Sequence, residues 1–287
     1  MKILVFGDSH SNIFAGMPGA VHLHSPIAVT ARRVADWEFR EIWDRPGPWL
    51  QQHQGAECLV LSSSEIDIRA HFWRHLPLAI SQGSSIEEFV ASKVGELVNC
   101  IERIQSTYNI ARVILWSAPP ATANTNYNAD WPFVGSVSTR NTLIHLFNCE
   151  FQQQIRSKSS IAVATGFYDY IDPISYLPKD HIPSDGVHWH ISLVRQLWEQ
   201  HIVPNVQGVG VDLGTAYQIM KTHSPSFVDQ SVVPGCLYDT WVRTDDLVAS
   251  KEDDTRAVVN GVDYSRIHLQ DRSRFPANYR ELSLINQ

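Results

Sequence analysis

Two short stretches, far apart in the chain, hold side chains able to do chemistry together. The first is Val5-Phe6-Gly7-Asp8-Ser9-His10-Ser11. Its apolar start, Ile3 to Phe6, reads as a buried parallel strand running into a loop. Ser9 therefore stands where a hydroxyl meets substrate and where its own N–H can face a developing anion. Serine also leads the preferred helix caps, so the motif alone allows a nucleophile or a cap. The second stretch is Ser184-Asp185-Gly186-Val187-His188-Trp189-His190. An Asp three residues before a His, across a turn containing Gly, lets a carboxylate accept from one ring nitrogen while the other nitrogen faces outward. That arrangement fixes the tautomer and stabilises the imidazolium formed when the ring takes a serine proton. Its plain alternative is Asp185 as a helix cap beside a packed surface His188.

Such chemistry needs a scaffold that brings the stretches together. Four further short apolar runs look like the first: Ala20 to Leu23, Cys58 to Leu61, Arg112 to Trp116 and Ile161 to Ala164. Between them lie segments of helical period, clearest in Ile86 to Tyr108, where Phe89, Val90, Val94, Leu97, Ile101 and Ile104 recur on one face. A second such segment runs from about 139 to 156, and a third follows His190. Strands alternating with helices of this length imply right-handed βαβ units and a parallel sheet covered on both faces. Ligands then bind at the carboxyl ends of the strands, where Ser9 sits.

Together the blocks Gly7-Asp8-Ser9 and Asp185-Gly186-Val187-His188 resemble the first and last blocks of the SGNH/GDSL hydrolase family, in the family's order, over residues 1 to 203. The resemblance implies a flavodoxin-like three-layer α/β/α sandwich with a five-stranded parallel sheet, and Ser9, Asp185 and His188 as a triad. A bacterial subgroup with the blocks GDSHS and GEIDxRxH is a closer likeness. Here the second of these reads Ser64-Glu65-Ile66-Asp67-Ile68-Arg69-Ala70-His71. The family places an asparagine in this block as an oxyanion donor, and Glu65 takes its place; an ionised carboxylate cannot donate a hydrogen bond. Backbone N–H groups around Ser64, or positive charge from Arg69 and His71, could compensate. Equally, Arg69 could pair with Glu65 or Asp67 as a structural ion pair. The family's oxyanion glycine falls at Ser25, where a backbone donor survives because only the N–H is needed.

Length and charge narrow the alternatives. The chain has 287 residues, 44% hydrophobic and 18% charged, enough for a sizeable core. A formal charge of −7 argues against nucleic acid as a partner. No apolar stretch reaches the roughly 18 to 20 residues of a transmembrane segment. The short N-terminal apolar run lacks signal-peptide features, which predicts a cytoplasmic protein. Cys58, Cys100, Cys149 and Cys236 are scattered and read as reduced thiols. His22 and His24 alternate without a convincing third metal ligand. Residues 204 to 287 change character and read as a small β-rich appendage, with alternating runs near 265 to 270 and 281 to 285. Trp116, Tyr127, Trp131 and Trp189 fall near strand ends and suit sugar stacking, or an ordinary core.

These features lead to a serine ester hydrolase acting through an acyl-enzyme on a small-molecule or glycan ester, with no cofactor required. A non-catalytic glycan- or partner-binding protein on the same scaffold, or an acyltransferase, remains the alternative, and oligomeric state is left open.

Overall fold

The structure, a computed structural model, describes residues 2–23, 46–72, 75–76, 79, 82–122, 137–179, 188–222, 239–243, 256–259 and 262–268. Five strands form a parallel sheet: β1 (Ile3–Gly7), β2 (Ala20–Leu23), β3 (Cys58–Ser62), β4 (Val113–Trp116) and β5 (Ile161–Ala164), in the order β2-β1-β3-β4-β5. Each coincides with an apolar run to within one or two residues. All five residues of both β1 and β3 are buried, because a parallel sheet sandwiched between helices has no wet face.

Alternation along β1 divides its side chains between two cores. Leu4 and Phe6 face the layer formed by α2 (Ile86–Tyr108) and α3 (Val137–Ile155), where Phe89, Val94, Phe147 and Phe151 pack. Ile3 and Val5 face the opposite layer, with Phe14 and with Val194, Leu197 and Trp198 from the helical stretch of α4 (Ile191–Leu197) and its π-helical continuation Trp198–Ile202. Burying each such side chain contributes about 1.5–3 kcal/mol. The remaining described helices are α1 (Pro46–Gln52), α5 (Val203–Val206) and α6 (Gly214–Thr222).

Local signals explain the longest helix. Ser85 caps α2: its hydroxyl accepts from the Glu88 N–H, while the Glu88 carboxylate accepts from the Ser85 N–H, a reciprocal capping box. Asn109 ends the helix in the left-handed conformation at φ 50°.

Beyond residue 203 the chain does two things. Helix α6 places Tyr217 and Met220 in the same core as α2 and α3. A separate antiparallel sheet then forms from β6 (Asp239–Arg243), β7 (Arg256–Val259) and β8 (Val262–His268), ordered β6-β8-β7, which supplies the β-rich segment. The alternating run near 281 to 285 lies outside the described residues. Among the described residues, no helix is long and apolar enough to cross a membrane.

Candidate active site

Strand order 2-1-3-4-5 creates a switch point between β1 and β3, where the chain leaves the sheet toward opposite faces and opens a crevice at the carboxyl edge. Register aligns that edge, with Gly7 beside Ser62 and Ser62 beside Trp116. The loops after β1, β3 and β4 therefore leave side by side.

Gly7 sets the first loop. A Cβ built there would lie 2.0 Å from the Ser62 carbonyl oxygen, and its φ is 155°, so no side chain fits. With the backbones this close, the Asp8 N–H donates to the Ser62 carbonyl at 2.9 Å. Asp8 then caps a 3-10 turn, Ser9–Phe14, its carboxylate accepting from the His10 N–H at 3.0 Å and from the Ser62 hydroxyl at 2.7 Å. Burial alone would raise the Asp8 pKa. The adjacent His10 imidazole and the hydrogen bonds from His10 and Ser62 outweigh it and hold the carboxyl below the usual range. The turn thus rests on a buried, ionised floor, with Ser9 exposed above it.

Ser9 Oγ lies 2.7 Å from His188 Nε2, a hydrogen bond joining residues 179 apart in sequence. His188 is half-buried just ahead of α4, and its ring lies 4.7 Å from that of His10, tilted by 33°. His10 is itself buried, with Nδ1 3.4 Å from the Asp8 carboxylate. The neighbouring residues are structural: His190 caps α4 by accepting from the Ser192 N–H, and Trp189 packs in the core. Asp185 and Ser25 lie outside the described residues.

The loop after β3 carries the other expected residues. Ser64 is buried, and its carbonyl accepts from the Ile68 N–H, starting the helical segment that continues as a π-helical turn, Asp67–His71. Glu65 and Arg69 form a buried ion pair, with Nε donating at 2.5 Å and Nη2 at 3.3 Å. Both Glu65 oxygens thus accept from one guanidinium. Of the two roles open to Arg69, the structure takes the ion pair with Glu65. Sequence reasoning missed Arg140, which α3 brings beside this pair; no local motif marks a residue 71 positions beyond Arg69.

Other expectations resolve plainly. Trp116 and Trp189 are only 1% and 3% exposed, so neither can stack on a sugar. Tyr127, Trp131, His24 and Cys236 lie outside the described residues. Cys58, Cys100 and Cys149 are free thiols. Among the described residues no three His, Cys, Asp or Glu side chains gather as metal ligands; His22 instead lies 3.4 Å from the Ser11 hydroxyl.

No family model matches the chain, and no curated protein matches it in sequence. Similar solved structures include a protein from Streptococcus pneumonia named for platelet activating factor, 16% identical over 69% of this chain and 80% of that one, with a TM-score of 0.46. Another, described as an acylhydrolase from Bacteroides fragilis, is 17% identical over 72% of this chain and 87% of its own, at 0.45. The aryl esterase of M. smegmatis in its inhibitor-bound form is 15% identical over 72% and 97%, at 0.43. By its own strand order and layers, the chain is a three-layer α/β/α sandwich around a five-stranded parallel sheet.

Proposed function

We propose that the chain is a carboxylic ester hydrolase in which Ser9 is the nucleophile, His188 the general base and Asp185 the group that orients the imidazole. The 2.7 Å contact between Ser9 Oγ and His188 Nε2 carries this reading. Ser9 Oγ attacks the ester carbonyl carbon as its proton passes to His188. The tetrahedral intermediate collapses, the C–O bond to the alcohol breaks, and His188 returns the proton to the leaving oxygen. Water then attacks the acyl-Ser9 ester with His188 again as base, releasing the acid and restoring the hydroxyl. The N–H groups of Ser9 and Ser25 are the proposed oxyanion donors. Glu65, occupied with Arg69, adds none, and a missing donor typically costs about 100- to 1000-fold in rate, so turnover is expected to be slow on unactivated esters.

The acyl group is a small one, carried by a carbohydrate or similar alcohol, and the catalytic unit of a cytoplasmic protein runs past the expected boundary at 203 to take in α6, with the β6-β8-β7 sheet as the appendage. The binding-protein reading draws on a single observation, the Glu65–Arg69 pair in the place of a neutral donor. A fluorophosphonate probe, with the adduct mapped by peptide mass spectrometry, separates the two. Labelling at Ser9, together with p-nitrophenyl acetate turnover lost in Ser9→Ala, is the expected result. Equal turnover by both proteins rules the hydrolase out. Acyl transfer to an added sugar would appear as an acylated acceptor among the products.

A further inference from the structure

An imidazole that takes a proton from a serine has to be held in one ring plane. The χ2 torsion of histidine supplies little restraint, because its profile is broad and roughly two-fold. His188 therefore needs outside support, and the nucleophile's own turn offers it. The ring of His10 lies against that of His188 with 4.7 Å between centroids and 33° between planes, inside the range of about 4.5–7 Å favoured by aromatic pairs. His10 is 2% exposed, so it is held like a core residue although it adjoins an exposed serine. Asp8 fixes it there. The His10 N–H donates to the Asp8 carboxylate at 3.0 Å, and the ring Nδ1 stands 3.4 Å from the same oxygen. That oxygen also accepts from the Ser62 hydroxyl at 2.7 Å, which ties the whole arrangement to β3. A chain of short contacts thus runs from the sheet, through Asp8 and His10, to the face of the His188 ring.

Adjacency in sequence gives that contact its consequence. Ser9 and His10 share one 3-10 turn, Ser9–Phe14, so a movement of the turn carries together the nucleophile and the surface against which the base rests. The 2.7 Å separation of Ser9 Oγ from His188 Nε2 is then kept by two contacts from the same turn, one at the ring's edge and one at its face. A displacement of about 1 Å in a catalytic group can cost about 100-fold in rate. We propose that His10 is a positioning residue that holds the His188 imidazole in the plane that meets Ser9 Oγ, acting through the flat face of its ring. Its contact with Asp8 orients that face and stabilises the turn. The effect on rate rests on the hydrolase reading; the ring contact is read without turnover.

Two substitutions in the full chain separate the ring face from the contact with Asp8. His10→Phe keeps a flat ring and loses the nitrogen near Asp8, whereas His10→Asn keeps a nitrogen donor there and loses the ring. On p-nitrophenyl acetate, His10→Asn should lower kcat by about 10- to 100-fold with KM within about twofold of the intact value, while His10→Phe should keep kcat within about threefold. Thermal midpoints should run the other way, with His10→Phe the less stable, because the buried Asp8 carboxylate loses its imidazole partner. A role confined to holding Asp8 would make His10→Phe the slower variant, and that order overturns the proposal, as does a kcat for His10→Asn within about twofold of the intact value. The contact itself is read by NMR. A nuclear Overhauser effect between ring protons of His10 and His188, assigned by their loss in the single variants, is expected in the intact protein, and its absence overturns the contact. If that effect is present but the protein neither hydrolyses p-nitrophenyl acetate nor is labelled at Ser9 by a fluorophosphonate, the hydrolase reading falls, and with it the effect on rate, while the ring contact stands. If His10→Asn does not fold, His10→Gln serves as the ringless variant, and a folded His10→Phe slowed more than about tenfold overturns the proposal by itself.

Discussion

On the β1 side of the sheet edge, Ser9 and His188 meet in reach of solvent, while the buried Asp8 beneath them accepts from the His10 N–H and the Ser62 hydroxyl. On the β3 and β4 side, the charges themselves are buried: Glu65, Arg69 and Arg140 surround a pocket whose remaining walls are apolar. The first arrangement spends its polar contacts on holding a turn, leaving the Ser9 hydroxyl and the His188 imidazole 2.7 Å apart. The second keeps its charge in the pocket wall, where low dielectric strengthens the attraction between Glu65 and Arg69. Two neighbouring loops on one scaffold thus differ in where their polar groups face, toward solvent in one case and into a buried wall in the other.

The comparison breaks most decisively at Ser9. Ser9→Ala should lower esterase kcat by at least about 1000-fold with little change in thermal midpoint, read by p-nitrophenyl acetate assay and calorimetry. A smaller loss would mean that the first loop does not hold the nucleophile. Gly7→Ala should act on stability instead, costing about 4 kcal/mol or more, because the added methyl meets the Ser62 carbonyl oxygen at 2.0 Å and the loop must shift. Denaturant unfolding checks this, and a cost under about 1 kcal/mol would show that β1 and β3 separate readily.

Glu65→Gln sharpens the other side. Removing the carboxylate takes from Arg69 its buried ion-pair partner and should destabilise the fold by about 3–5 kcal/mol at pH 7. Asp8→Ala should cost about 1–3 kcal/mol, since the Ser62 hydroxyl and the His10 N–H each lose their acceptor. The pH dependence has a definite sign. The folded-state pKa of Asp8 lies below its unfolded value of 3.8, so its contribution is complete at neutral pH and is lost as pH falls below about 3.8. The intact protein should therefore lose more stability than Asp8→Asn in that acid range. The smallest effect concerns the thiols. Burial pushes Cys58 and Cys100 up to about 12, so neither should react with iodoacetamide in the native state, whereas both should react once unfolded.

Much of the scaffold was legible from periodicity. Buried parallel strands appear as unbroken apolar runs, and α2 carries both its apolar stripe and its capping residues in its own sequence. Ser9 and His188 were legible as a pair of motifs, although their meeting at 2.7 Å is a tertiary fact. What escaped depends on register and crossing. The Asp8–Ser62 hydrogen bond needs Gly7 set beside Ser62, which no pattern within either strand specifies. Arg140 shares a pocket with Glu65 only because α3 begins beside the segment after β3. Trp116 and Trp189 read equally as rim or core, and packing against Phe14 and Tyr170 decides for the core. Helix α6 is only nine residues long, too short for its period to stand out against the mixed composition that follows residue 203.

Ser9 follows the first strand of the parallel sheet in sequence and His188 comes after the fifth, 179 positions apart. A chain emerging during synthesis can form the Ser9 turn and its floor once β1 and β3 have paired, yet Ser9 gains its imidazole partner only when the segment ahead of α4 has docked on the sheet. Under the proposed hydrolase reading, catalytic competence is thereby a late event, and a fragment ending before His188 would keep the serine turn without the imidazole needed to acylate it.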